Sequence, residues 1–184
     1  MPTPSTAALR ESLLIVREDD ASLNALRRAA EAEWDVHDVD LRRREQPVPL
    51  MQHFGDVCRF PEWYRGGSWD SMNDMLGPAP EDMGVERLLL WVNATTVEQE
   101  LLEQMLGVLS CTLKFRRGVL THPRDVEYPS DFDRYRMAIV CVVRFEQNDR
   151  PGMAAEVQAF GGAALHRVGE DGLTVLGELA SERG

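Results

Sequence analysis

The stretch Phe60-Pro61-Glu62-Trp63-Tyr64-Arg65-Gly66-Gly67-Ser68-Trp69-Asp70-Ser71-Met72-Asn73-Asp74-Met75-Leu76 is the most informative in the chain. Pro61 disfavours helix at Phe60, so a preceding helix should end there. Gly66 and Gly67 permit positive φ and a tight reversal. Ser68 is a good N-cap, which makes Trp69 the first residue of the next helix. Trp69, Met72 and Leu76 then fall at i, i+3 and i+7 and form its buried stripe. Asp70, Asn73 and Asp74 are left on the solvent side.

This is a poor way to build an inert surface. Asp70 gains from the positive end of the helix dipole, but Asp74 lies a turn further in and repels Asp70 by roughly 0.2–0.5 kcal/mol. Trp63 and Tyr64 sit just before the turn. Aromatic side chains are common anchors of protein–protein contacts, and acids beside them select a basic partner.

At these residues the chain resembles the barstar family, inhibitors of barnase-type ribonucleases. The family pattern reads Pro-x-Tyr-aromatic-Gly-x-Asn-Trp-Asp-Ala-Leu-x-Asp-x-Leu. Pro61, Trp63, Tyr64, Trp69, Asp70, Met72, Asp74 and Leu76 occupy matching positions. The turn Arg65-Gly66-Gly67-Ser68 carries one residue more than the pattern. Ser68 replaces Asn, Trp63 replaces Tyr, and Asn73 stands at a position that is aromatic in the best-known member. The resemblance implies that Trp63, Tyr64, Gly66, Gly67, Asp70, Asn73 and Asp74 form a partner-binding surface. It implies that this surface occludes a ribonuclease active site, with the Asp74 carboxylate standing where an RNA phosphate would lie. The expected partner is a basic protein, a barnase-type ribonuclease, and the activity is inhibition rather than catalysis. Glu98, Glu100 and Glu103 are all candidates for the family's further acidic contact on a later helix. A basic partner that is not a ribonuclease, or an uncharacterised α/β enzyme, are the alternatives.

The formal net charge of −11 over 184 residues agrees. It argues against direct nucleic-acid binding, because phosphates would be repelled, and favours fast association with a cationic protein. Basic residues are 19 Arg against the single Lys114, which reads as compositional bias. No basic region followed by an apolar core opens the chain and no run of 18 apolar residues occurs, so a cytoplasmic protein without a membrane span is expected. Cys58, Cys111 and Cys141 fit reduced thiols.

Outward from the opening stretch, the chain alternates strand and helix. Residues 12–16 read as a short buried strand. Asp19 or Asp20 can cap a helix over 21–33, with Leu23, Leu26 and Ala30 facing inward. A strand over 34–41 follows, then a helix over 48–58 carrying Leu50, Phe54 and Val57. After the 69–76 helix, Gly77-Pro78-Ala79-Pro80 reads as a turn. The apolar run 87–92 reads as a strand covered on both faces. Thr95 with Glu98, or Thr96 with Gln99, forms a capping box for a helix over 97–113, lined by Val97, Leu101, Met105 and Leu109. Residues 137–143 are the clearest strand.

This order predicts an α/β fold, a small parallel β-sheet of three to four strands flanked by helices. It divides into a β-α extension over 1–33, a barstar-like unit over 34–148 containing a long polar loop at 114–136, and a helix–strand extension over 149–184. Arg116-Arg117 in that loop read as solvated. In the tail, Met153, Val157, Phe160, Ala164 and Val168 have helical spacing, and 173–176 could be a strand. That pair also resembles the family's closing elements, which would make 77–136 an insertion; the earlier assignment needs no rearrangement and is preferred. No phosphate-loop, dinucleotide or nucleophile-elbow pattern occurs, and no cofactor is expected. His37 beside Asp35, Asp38 and Asp40 has the composition of a metal cluster, but alternating strand residues face opposite ways, so no metal site is assigned.

Overall fold

The computed structural model describes residues 12–18, 23–43, 46–116, 134–144, 165–167 and 174–175. Along the chain run β1 (Ser12–Arg17), α1 (Leu23–Glu31), β2 (Asp35–Asp40), α2 (Pro47–Val57), α3 (Trp69–Leu76), α4 (Ala79–Met83), β3 (Arg87–Asn93), α5 (Gln99–Arg116), β4 (Arg136–Val143), β5 (Leu165–Arg167) and β6 (Thr174–Val175). The strands form one sheet in the order β2-β3-β4-β1-β5-β6. β1 to β4 are parallel throughout, which gives the α/β fold with a small parallel sheet that the alternation predicts. β5 adds to β1 in parallel and β6 closes the edge antiparallel.

The two apolar runs explain why the sheet is covered on both faces. In β3, Leu88, Leu90 and Val92 enter one cluster while Leu89 and Trp91 enter another. β4 divides the same way, Met137, Ile139, Cys141 and Val143 against Ala138, Val140 and Val142. The larger cluster is closed by α2 to α5 through Leu50, Phe54, Met72, Leu76, Leu102 and Met105. The smaller is closed by Leu26 and Ala30 of α1, with Trp34. Burying each such large aliphatic or aromatic side chain contributes about 1.5–3 kcal/mol.

β1 pairs with β4 over six residues, from Ser12 opposite Ala138 to Arg17 opposite Val143. The 1–33 stretch, expected as an addition to the 34–148 unit, therefore supplies an inner strand of that unit's sheet. β2 is the opposite edge, and its Asp35, Asp38 and Asp40 are exposed; a charged edge resists pairing with a stray strand.

Four local expectations need correction. The 77–80 turn opens a short helix, α4, whose Pro80 lies in its first turn, where a missing N–H costs nothing. The capping box does not form: Thr95 turns back and donates both its backbone N–H and its hydroxyl to Asn93 Oδ1, at 3.3 and 2.9 Å. Arg116, read as solvated, ends α5 with its side chain fully buried. Residues 165–167, inside the stretch of helical spacing, form β5; 117–133 and 149–164 lie outside the described residues.

All three cysteines are free. Burial pushes the Cys58 and Cys141 thiols up to about 12, so neither offers thiolate at neutral pH. Cys111, on α5, is half-exposed. Brief treatment of the native protein with iodoacetamide should add one adduct, at Cys111, by intact mass and peptide mapping. Labelling of Cys58 or Cys141 at the same rate would show that the core opens there.

Candidate functional site

α3 begins where the sequence places it. Ser68 has extended backbone and its hydroxyl accepts from Ser71 N–H at 3.1 Å. Met72 and Leu76 are fully buried, and Trp69 packs partly buried against the same cluster. Asp70 and Asp74 are exposed on the outer side.

Three side chains of α5 hold α3, and they fall on one edge of each helix. Trp69 Nε1 donates to Gln104 Oε1 at 3.1 Å. Thr112 Oγ1 donates to Asn73 Oδ1 at 2.6 Å. Arg116 Nη1 donates to the carbonyl of Gly77, the residue that caps α3. Residues 69, 73 and 77 are spaced by four, as are 104, 108, 112 and 116, so a polar ridge of α3 lies along a ridge of α5. Arg116 also donates to the Tyr135 carbonyl and pairs with Glu81 at 3.1 Å. It places a cation against the negative end of α3. Asn73, expected on the solvent side, is half-buried because it is a rung of this ladder.

The two adjacent aromatics have opposite fates. Trp63 is 65% exposed. Tyr64 is 8% exposed, its ring set edge-on against Phe60 at 4.9 Å and 87°. Burial raises the Tyr64 phenol above its usual range, with Ser71 partly offsetting that. Tyr64 is thus the root of the loop rather than its tip. Room for it comes from Gly55 of α2, where a Cβ would lie 2.9 Å from the Tyr64 ring.

The two glycines also separate. Gly66 has φ 66°, and a Cβ there would lie 2.9 Å from the Val48 carbonyl oxygen. Gly67 has neither a positive φ nor a neighbour within 4 Å of a Cβ. Only Gly66 makes the reversal. Gln52 Nε2 fastens the loop by donating to the Arg65 carbonyl at 3.0 Å, and Arg65 donates to the carbonyls of Glu62 and Tyr64.

Two residues escaped the sequence reading. Val48, in the first turn of α2, is 45% exposed, and Val48 and Trp63 are the exposed large hydrophobic side chains among the described residues. The segments carrying them meet at Gly66. Helix periodicity marks the buried face of α2 and says nothing of which outward residues gather elsewhere. The other is Arg59, which has φ 56° and lines an open cleft of about 440 Å³ beside the loop.

Of the three later acids, Glu103 accepts from Gln99 at 2.5 Å and Glu98 precedes the helix. Glu100 lies one turn before Gln104 and so shares its side of α5. Two of the three acids near His37 are otherwise engaged: Asp38 pairs with Arg27 at 2.6 Å, and Arg42 holds Asp40 down to about 2. Among the described residues no cluster of His, Cys, Asp and Glu could hold a metal ion, and no helix is long and apolar enough to cross a membrane.

No protein-family model matches the sequence, and no curated protein matches it. Among solved structures the chain is similar to Cdc6p from Pyrobaculum aerophilum, with 14% identity and a TM-score of 0.46 over 84% of this chain. The chain spans 37% of that chain's length.

Proposed function

We propose that the chain is a barstar-like inhibitor that occludes the active site of a barnase-type ribonuclease. One observation carries the reading: the two large apolar side chains left exposed among the described residues, Val48 and Trp63, flank the Gly66 turn, which leads into a helix whose outer edge presents Asp70 and Asp74. An apolar anchor ringed by acids fits the rim and floor of a cationic cleft. The side chains between α3 and α5 supply rigidity, so little entropy is lost when the surface is covered. The aromatic that meets the enzyme is Trp63, and Glu100 is the acid of α5 best placed to join Asp70 and Asp74. No bond is made or broken; the carboxylates occupy the position of a phosphate and exclude substrate.

Titrating the purified chain into a barnase-type ribonuclease tests this. RNA cleavage should fall linearly to an end point at one chain per enzyme. The association rate should drop as salt rises from low to physiological strength, because the charges that steer encounter are exposed. Undiminished cleavage with the chain in excess would overturn the reading, and a basic partner of another kind would then be sought for the same surface.

A further inference from the structure

α2 ends in a turn that asks for glycine and has arginine. Cys58 N–H donates to the Phe54 carbonyl and Phe60 N–H reaches back to the Gly55 carbonyl at 2.8 Å, with Arg59 between them at φ 56°. This is the left-handed helix cap that glycine fills without strain, whereas a residue with a Cβ is strained there. Arg59 is the one non-glycine residue with positive φ among those described. Non-glycine residues held in this region cluster at functional sites.

The cleft that Arg59 lines is formed by Gln52, Gly55 and Asp56 of α2 and by Phe60, Pro61, Glu62, Tyr64 and Arg65. The Phe60–Tyr64 pair supplies its apolar wall, and Arg65 is turned onto carbonyls of its own loop. Arg59 is exposed. Opposite charges share this rim, yet no ion pair joins Arg59 to Asp56 or Glu62.

We propose that this cleft is a second recognition subsite, in which Arg59 receives a carboxylate side chain of the protein partner. The inference rests on the inhibitor reading above and adds to it a cationic contact at the base of the loop that carries Trp63. A planar guanidinium against an apolar wall binds a carboxylate through paired hydrogen bonds. Asp56 and Glu62 on the same rim repel a phosphate dianion, and the net charge of −11 disfavours a nucleic-acid strand, so a single carboxylate is the anion that fits. A cationic contact beside the acidic ones fixes the orientation of the partner, which acids alone would not do.

Arg59→Gly tests this because its effects on folding and on binding have opposite signs. Relief of the left-handed strain should raise the Tm by about 2–4 °C. Loss of the guanidinium should weaken ribonuclease inhibition about tenfold. Long-range electrostatics predicts the reverse, since removing a cation from a chain of net charge −11 strengthens its attraction for a basic enzyme. Arg28→Ala, on α1 and so on the other face of the sheet, removes the same charge and should change inhibition less than twofold. A stabilised Arg59→Gly variant that inhibits as well as the parent, or better, would overturn the subsite and leave the inhibitor reading intact. Failure of the parent chain itself to inhibit would overturn that reading and the subsite with it.

Discussion

Asp74→Ala should weaken binding to a barnase-type ribonuclease by about 2–5 kcal/mol, roughly thirtyfold to several thousandfold, the usual cost of truncating one partner of a buried charge pair. In the free chain the Asp74 carboxylate is exposed and water solvates it. In the complex it would be dry and surrounded by the cations that hold an RNA phosphate. Truncating it leaves those cations buried without a partner, and that penalty makes up much of the loss. The folded chain should hardly notice, since Asp74 is no rung of the α3–α5 ladder and relief of its repulsion with Asp70 adds a few tenths of a kcal/mol at most. The informative control is Asp35→Ala, an exposed acid at the start of the edge strand β2, expected to change affinity by less than 0.5 kcal/mol. Both constants come from one inhibition titration, with the Tm of each variant beside it. Equal, small losses for the two acids would show that α3 is not the contact surface.

Gly66→Ala is expected to cost roughly 2–3 kcal/mol of folding stability, a fall in Tm of about 5–10 °C. The left-handed backbone accounts for about half. The remainder comes from the new methyl, which would meet the Val48 carbonyl oxygen at 2.9 Å and the Gln52 backbone nitrogen at 3.2 Å. Neither can swing aside as a side-chain tip would, so the loop must lift from α2. That displaces the segment carrying Trp63, and inhibition should weaken along with stability. Gly67→Ala separates this from a general intolerance of the loop. With no neighbour within 4 Å and no positive φ, it should alter stability by less than 0.5 kcal/mol. Thermal melts of the two variants side by side decide the matter. Equal losses would mean that both glycines are needed for the reversal.

Much of this architecture was legible in the residues because burial writes itself into spacing. The runs in β3 and β4 are apolar at every position, and they turned out to feed two clusters alternately, as strands covered on both faces must. The start of α3 was readable because Ser68 caps it by a purely local bond. Long-range contacts were not readable. Nothing in the order of residues says that β1 enters the sheet beside β4, since pairing order follows from which apolar faces meet in space. Asn73 and Arg116 look like surface residues by type, and both are drawn inward because α5 brings a hydroxyl and α3 a carbonyl to meet them. Trp63 and Tyr64 could not be told apart either. Which of two adjacent aromatics faces inward depended on the space left by Gly55, nine residues earlier in the chain.

The ladder between α3 and α5 has a consequence for how such a surface could change over time. Every tether falls on the 69–73–77 edge of α3, and the edge bearing residues 70 and 74 carries none. A wholly apolar ridge can slip by a turn and still find a groove; donors set against acceptors leave one register, because a slipped helix strands half-buried polar groups without partners. The outward residues are thereby released from holding the register of the helix. Substitutions at 70 and 74 can accumulate, reverse in charge or grow in size while the backbone beneath them stays where it is. On the inhibitor reading, the scaffold is suited to being retargeted, and a lineage of such chains could follow a changing adversary by altering two side chains.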